Sequence, residues 1–511
     1  MTRTHYPVVV VGAGPTGMTV GTLLARYGID TLILDRWDGI YPLPRAVHLD
    51  DEVYRIIARL GLADEFAGIA RPASGLRLVN RDLTTLREFR REAANSPHGF
   101  PQANLFDQPE FEHILRTGLA RHESVTIAGG RQVTGVAHTR GGARVDYIDR
   151  VSGTRGFVHA DYVLGCDGAN SIIRSAIGSQ MQDLGFEQRW LVVDIATDRE
   201  LGHWEGVHQV CDPVRAATYM RIGDSRHRWE FRLHDGETAG SFPTLESLHS
   251  LLSPWIENVD TGDLELIRVA DYTFRAQIAD RWRDRRVFLL GDAAHLTPPF
   301  IGQGMGAGIR DGANLAWKLA GVLDGTLPES SLDSYQLERK PHAAFMVRLA
   351  LALGWAMTAG GELGHMARRQ LVPLAVKVPS IGAKITTGVT PALRSSPFVH
   401  RRALRRGLSG TLCPNPVLAD GLSVDDIAPD RFLVVTSVDP TDDQRFEIER
   451  RGACVVHAPP GSALGHWLDR GQATAAIVRP DRTVMAATRS LAGLYTALPT
   501  FTPDALPRGT R

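Results

Sequence analysis

Apolar and polar positions alternate along this chain in two distinct rhythms. Pro7–Val11 is a short all-apolar run of the kind buried in parallel sheets. The turn Gly12–Gly17 follows, then helical spacing over Met18–Tyr27 with Gly28 as its stop. A second apolar run, Thr31–Leu34, ends at Asp35, which completes a βαβ unit. Asp51–Leu62 and Gln108–His122 have helical periodicity. Residues 71–92 alternate as a strand pair, and 125–165 as three strands with turns at Gly141-Gly142 and Gly153. The last of these, Tyr162–Leu164, runs into Gly165-Cys166-Asp167-Gly168.

The pattern changes near residue 185. Trp-, Arg- and Tyr-rich alternation over 189–232 predicts a separate, mostly antiparallel sheet reaching to about 275. Val287–Leu290 returns to the first unit, followed by helices over Gly308–Asp324 and 331–357. Residues 360–410 are basic and broken by Pro373, Pro379, Pro391 and Pro397. Strand-like runs Arg431–Val435, Ala453–Val456 and Ala475–Val478 with helical stretches between them predict a small α/β unit. The expected division is therefore 1–184 with 276–360 as one discontinuous domain, 185–275 as an inserted sheet domain, 361–414 as a helical crossover and 415–511 as a C-terminal domain. No internal repeat is visible.

Composition narrows the function classes. The 511 residues are 43% apolar, ample for several cores, and carry 57 basic and 57 acidic side chains. That balance leaves no electrostatic footprint for nucleic acid or an anionic membrane. Cys166, Cys211, Cys413 and Cys454 form no CxxC pair, so neither a metal site nor a redox dithiol is expected. There is no signal-peptide core and no apolar run of about 18 residues, so no membrane span is expected and a cytoplasmic location fits.

Three motifs carry chemistry. In Gly12-x-Gly14-x-x-Gly17 the first glycine permits the tight turn, the second lets backbone approach a pyrophosphate and the third lets helix pack on strand. Asp35, at the end of the next strand, stands where a ribose hydroxyl acceptor belongs. In Gly165–Arg174 a strand ends in Asp167-Gly168, and Ser171 can cap a short helix. The third motif is Gly291-Asp292-Ala293-Ala294-His295, with Pro298, Pro299, Gly302, Gly304, Gly306 and Gly308 close behind. An Asp after an apolar strand can accept bonds from sugar hydroxyls. A Gly-rich loop opening a helix can bring bare N–H groups against a flat, electron-rich ring. A distant return to the same cofactor suits FAD better than NAD.

These three motifs, in this order, resemble those of the group A flavoprotein aromatic hydroxylases, of which p-hydroxybenzoate hydroxylase is the best-known type. Pro44-Arg45-Ala46, Asp50-Asp51-Glu52, Val192–Ala196, Cys211–Arg215 and Asn314–Lys318 are most similar to the 3-(3-hydroxyphenyl)propionate hydroxylase branch. The resemblance covers about residues 5–345. It implies an α/β fold: a Rossmann-like, glutathione-reductase-type FAD domain, an inserted antiparallel substrate sheet and a small thioredoxin-like C-terminal domain, here without CxxC. It also implies non-covalent FAD, with Asp35 on the adenosine ribose, Asp292 on the ribityl chain, and Arg45 and Gln102 touching the cofactor. Asp167-Gly168 would serve both FAD and NAD(P)H. Arg36, Pro299, Gly302, Gly304 and Met305 complete the expected cofactor set. Many relatives carry Asn where this chain has Gly306, which puts one polar contact near the flavin in question.

The implied reaction is hydroxylation of a phenolic ring by O2 and NAD(P)H through a flavin C4a-hydroperoxide, held in a closed, largely apolar pocket. An arylpropionate-type phenol is the expected substrate. The alternatives are hydroxylation, Baeyer–Villiger or epoxidising chemistry on a polyketide or antibiotic skeleton, and a non-catalytic flavin-binding protein. A flavin halogenase would need a Trp-x-Trp-x-Ile segment, and none occurs. A phenol, with an ordinary pKa of about 10, reacts best as phenolate, so a base is required. His48 and Tyr219 are the candidates, His48 having a structural hydrogen-bonding alternative. Arg215 is placed either on a substrate carboxylate or in a sheet-surface ion pair, and Pro299 at the pocket near the flavin. His295 is expected to hydrogen-bond within its loop and Tyr272 to belong to the core. A homodimer is a further expectation.

Overall fold

A computed structural model describes residues 3–41, 46–91, 96–212, 214–257, 259–358, 390–401 and 407–502. His5–Val11 lies at the centre of a parallel sheet, between Thr31–Leu34 and Arg155–Gly165. Val125–Ala128 and Val287–Leu289 extend the sheet on its two sides, both in parallel. The runs Val8–Val10 and Leu32–Leu34 are fully buried, as the strands of a covered parallel sheet are. The helices Pro15–Arg26 and Gly304–Leu323 pack on it.

Residues 125–165 hold four strands rather than the expected three: Val125–Ala128, Arg131–His138, Ala143–Asp149 and Arg155–Gly165. The turn at Gly129-Gly130, with Gly130 at φ 65°, divides what reads as one run in the sequence. The first piece joins the parallel sheet, and the next begins an antiparallel meander.

A second, eight-stranded sheet runs in the order His295–Leu296, Glu265–Ala279, Met181–Ala196, Arg226–Arg232, Ala217–Arg221, Val207–Val210, Gly75–Val79, Thr85–Arg90. The strand pair expected within 71–92 therefore belongs to this sheet, through the parallel pairing of Gly75–Val79 with Val207–Val210. The expected boundaries at 185 and 275 fall inside two long paired strands, Met181–Ala196 and Glu265–Ala279. Side-chain alternation marks a strand but not the sheet it joins, and a long strand can pass from one layer to the next. One face of this sheet packs Leu191, Val193, Tyr219, Trp229 and Phe231 against Leu248, Leu252 and Trp255 of helix Leu245–Ile256. The other face looks into the cavity described below.

The C-terminal unit is ordered Cys454–His457, Leu433–Thr436, Ala475–Val478, Val484–Thr488, the first pair parallel and the others antiparallel. Helices Asp442–Arg450 and Ala463–Arg470 connect the strands, so the topology is thioredoxin-like. All four cysteines are free. Trp317 meets Phe398, Phe432 and Phe501 edge-on at the joint with the first unit. Buried ion pairs cross the same joint. Glu338 binds Arg479 across it and Lys318 of its own unit, each at 2.9 Å, and Asp425 binds Arg55 across it and Arg482 of its own unit, each at 2.6 Å. Of the expected helical crossover over 361–414, residues 361–389 and 402–406 lie outside the described residues; the stretch 390–401, with Pro391 and Pro397, is loop. Among the described residues no helix is long and apolar enough to cross a membrane.

Candidate active site

The dinucleotide turn is held by close packing. Gly12 has φ 106°, and a Cβ there would stand 2.3 Å from the carbonyl oxygen of Cys166. At Gly17 a Cβ would stand 1.9 Å from the Gly12 carbonyl oxygen, so helix and strand touch through these two glycines. Asp35 accepts a hydrogen bond from the N–H of Ala13 at 2.6 Å and another from Trp37 at 2.7 Å. Gly14 is open, with nothing within 4 Å of where a Cβ would stand.

The second motif is tied to the third. Ser171 caps helix Ile172–Ala176 and donates to Asp167 Oδ1 at 2.5 Å. Burial raises the Asp167 pKa. Arg174 donates to the carbonyl of Ala293 at 3.0 Å. In the third motif Gly291 donates its N–H to Asp311 Oδ2 at 3.1 Å, and His295 Nε2 lies 2.8 Å from the same oxygen. Arg339 holds the other oxygen at 2.8 Å. Burial penalises the Asp311 charge, but Arg339 and His295 outweigh it and its pKa is lowered.

A second clamp sets the loop before helix Gly304–Leu323. Gln303 donates to Asp50 Oδ2 at 2.9 Å, and Arg310 reaches the same carboxylate at 2.5 Å and Glu52 at 2.9 Å. The other oxygen of Asp50 caps helix Asp51–Arg59 by accepting from Val53 N–H at 2.9 Å. Gly302 takes φ 60°, and a Cβ there would meet His48 Nδ1 at 2.7 Å. Burial lowers the His48 pKa despite the nearby Asp50, so its imidazole is neutral.

These segments surround one cavity of about 1470 Å³. Ordinary ligand pockets span roughly 300–1,000 Å³, so there is room for a large cofactor together with a substrate. Gly12, Gly14, Asp35, Arg36, His48, Asp167, Gly168, Asp292, Pro299, Gly302, Gly304 and Met305 all line it. Gly17 packs behind the turn and does not line it. Arg45 lies outside the described residues. Gln102 is not in the lining; Ala103 and Gln108 are, and Gln108 accepts from Ala46 N–H at 2.7 Å. Gly306 is also outside the lining, with Val53 and Arg310 each 3.0 Å from where a Cβ would go. An Asn would not fit there without displacing them, so this chain takes no polar contact from that position.

Tyr219 and Arg215 are not brought to the cavity. Thr218 and Met220 line it, so alternation turns Tyr219 to the opposite face, where its hydroxyl lies 3.0 Å from His227 Nδ1. Burial raises the Tyr219 pKa, the reverse of what a base near neutrality needs. Arg215 makes a two-pronged pair with Glu237, at 2.8 and 2.7 Å, and donates to the carbonyl of Arg232. Its ion-pair alternative is the one present. Tyr272 lines the cavity and packs against Phe274 at 4.7 Å. Trp190 and Glu230, which no sequence motif marks, also face the cavity, and Phe300 stands edge-on to Trp190 at 6.3 Å. The only sequence signal for this pair was strand parity, which leaves both faces open until the sheet is assembled.

FAD fits this set of donors. Helix Pro15–Arg26 begins at Gly14 and helix Gly304–Leu323 at Gln303; neither has a side-chain cap or an acid in its first turn. Two uncapped helix N-termini facing one cavity favour anionic or electron-rich groups. Such a fold, with one dinucleotide turn and an aromatic-walled second sheet over a shared cavity, is that of a flavin-dependent oxidoreductase.

The FAD binding domain family model matches residues 5–350. The chain is 33% identical to a probable NADH-specific resorcinol 4-hydroxylase of Rhodococcus jostii (strain RHA1), over 96% of this chain and 94% of the relative. It is 30% identical to a 3-(3-hydroxy-phenyl)propionate/3-hydroxycinnamic acid hydroxylase of Burkholderia cenocepacia (strain HI2424), over 98% and 97%. Among solved structures, aklavinone-11 hydroxylase with FAD and aklavinone superposes with a TM-score of 0.80 at 24% identity, covering 98% of this chain and 99% of that one. The flavin-dependent monooxygenase PieE, in complex with FAD and substrate, superposes with a TM-score of 0.81 at 21% identity, covering 99% and 98%. At those identities the superpositions speak for the fold alone. The chain belongs to the FAD-dependent aromatic hydroxylases, the group A flavoprotein monooxygenases. It uses FAD with NAD(P)H and O2 to hydroxylate a phenolic ring.

Proposed function

We propose that the protein hydroxylates a small, single-ring phenol, with NADH as its reductant. The observation that carries this reading is the shared cavity. Uncapped helix ends meet there with an aromatic wall of Trp190, Tyr272, Phe274 and Phe300. The relative named as NADH-specific supports the choice of NADH.

In this reading Gly14 and the first-turn N–H groups behind it hold the pyrophosphate. Asp35 takes the adenosine ribose, and Asp292, fixed by the Gly291–Asp311 contact, takes the ribityl hydroxyls. The uncapped N-terminus of helix Gly304–Leu323, which lines the cavity, would favour the negative charge that a flavin gains on reduction. FAD held in this way would supply the O2 activation and oxygen transfer. The chain's own residues bind the ring, orient it and keep water out. Neutral His48, against Gly302, fixes the loop beside the flavin rather than supplying the base.

The test is a panel of phenols offered to FAD-loaded protein with NADH under air. A responsive phenol is expected to speed NADH oxidation and to yield a product one oxygen atom heavier by mass spectrometry. NADH loss that no phenol accelerates would reject the reading in favour of a flavin-binding role without turnover.

A further inference from the structure

Glu230 is a carboxylate on the cavity face of the second sheet, only 7% exposed. Its cross-strand neighbour is Thr218, whose neighbour in turn is Gln209, and both also line the cavity. The three residues form one polar row across adjacent strands of the cavity floor, separate from Arg87 and Arg275, which line the cavity from other strands of the same sheet. Thr218 donates its hydroxyl proton to Gln209 Oε1 at 3.2 Å, and the Gln209 amide donates to the Ala217 carbonyl at 2.9 Å. With those protons committed, what Thr218 and Glu230 present to the cavity are acceptors. Among the described residues no protein donor hydrogen-bonds the Glu230 carboxylate.

A buried carboxylate without a donor is costly, and a ligand O–H relieves that cost. The charged groups around it are Arg228, Asp194 and Arg268. Arg228 holds Asp194 with bonds of 2.7 and 2.9 Å, and Arg268 reaches it at 2.9 Å. Asp107, paired with Arg226, faces the same two guanidiniums, so with Glu230 ionised three guanidiniums balance three carboxylates and the group is neutral. A substrate carboxylate placed on this row would add an unbalanced like charge. Directly opposed positions on antiparallel strands lie about 4.5–5.5 Å apart. That spacing is comparable to the separation of two meta hydroxyls on one benzene ring.

We propose that Glu230 receives a phenolic hydroxyl of the substrate and acts as its base, and that the Thr218–Glu230 row selects rings bearing neutral hydroxyls, dihydroxybenzenes above all, over rings bearing a carboxylate. This rests on the phenol-hydroxylase reading above. In the step itself the phenolic O–H bond breaks, the proton forms an O–H bond on Glu230, and the negative charge passes to the ring oxygen. Burial raises the Glu230 pKa, which narrows its gap to the phenol.

The test compares the FAD-loaded wild type with Glu230→Gln and Glu230→Asp. Binding of resorcinol and of 3-(3-hydroxyphenyl)propionate is followed by the change each makes in the flavin spectrum. The wild type is expected to bind resorcinol at least about tenfold more tightly than the arylpropionate. In E230Q the resorcinol Kd should rise about tenfold and kcat/KM fall about 100-fold, recovering as pH rises and the substrate ionises by itself. Arylpropionate binding should stay the same or improve, and E230D should regain part of the resorcinol rate. Unchanged resorcinol binding and turnover in E230Q would overturn the proposal, as would an equal loss of affinity for both ligands. If E230Q does not retain FAD, Thr218→Val carries the test, since it leaves the charge group intact. A resorcinol Kd raised several-fold is then expected, and an unchanged one sinks the idea. Wild-type holoenzyme that binds no phenol at all would instead remove the underlying reading.

Discussion

His295 Nε2 lies 2.8 Å from Asp311 Oδ2, with both side chains shut off from solvent. The contact joins the turn after one strand to the middle of helix Gly304–Leu323, and the same oxygen receives the Gly291 N–H. Asp292 is therefore aimed by a residue that does not itself line the cavity. Replacing Asp311 with Ala would strand Arg339 and His295 in the core, at a cost of about 3–5 kcal/mol. A marked fall in Tm and loss of FAD on gel filtration are expected; wild-type values for both would contradict this account.

The two glycines of the dinucleotide turn should separate folding from binding. Gly12→Ala forces a Cβ to within 2.3 Å of the Cys166 carbonyl at a φ that L residues avoid, so the apoprotein itself should be destabilised. Gly14→Ala meets nothing within 4 Å and has an ordinary φ of −77°. Its apoprotein should melt like the wild type while FAD affinity drops at least about tenfold, because the methyl enters the space given to the pyrophosphate. Calorimetry of both apoproteins and titration with FAD read the two effects apart.

Tyr219→Phe and Arg215→Met are expected to leave kcat/KM for the phenol within about twofold of wild type. Tyr219 lies on the face away from the cavity, and its lost bond to His227 should lower stability by about 1 kcal/mol. A large drop in turnover with unchanged stability in either variant would return that residue to the active site.

Acid should loosen the joint to the C-terminal unit. Burial opposes the Glu338 charge, but Arg479 and Lys318 outweigh it and hold its pKa down at about 2, against 4.5 ordinarily. A depressed carboxylate pKa contributes stability that is fully present above the unfolded value. That stability is lost as pH falls from about 4.5 to about 2, and amounts to roughly 3 kcal/mol. Urea unfolding across that window should show the loss in wild type and a flatter slope in Glu338→Gln. Equal slopes would mean that other carboxylates govern the acid limb.

Much of the cofactor side was legible in the sequence, because backbone demands leave marks on residue type. Gly12 and Gly302 must accept positive φ, Gly14 must be bare, and Asp35 must end a strand, so the chain writes these positions as glycines and aspartates in fixed order. The substrate side was not legible in the same way. Tyr219 looked as eligible as Thr218 or Met220, since alternation supplies two faces and does not say which is the floor. Arg215 offered a charge, and only the approach of Glu237 showed that the charge is already used. Trp190 and Glu230 belong to no motif, and their place in the cavity follows from register across three strands.

Local chemistry along the chain was enough to set the βαβ turn, the helix starts and the small C-terminal α/β pattern, because each depends on residues close in sequence. Which sheet took residues 75–90, which strand face became the cavity floor, and which buried charges hold Asp292 and Gln303 in place were decided by partners far away along the chain. Those choices turn on packing and on the cost of leaving a buried charge unpaired, and both exist only once distant segments meet.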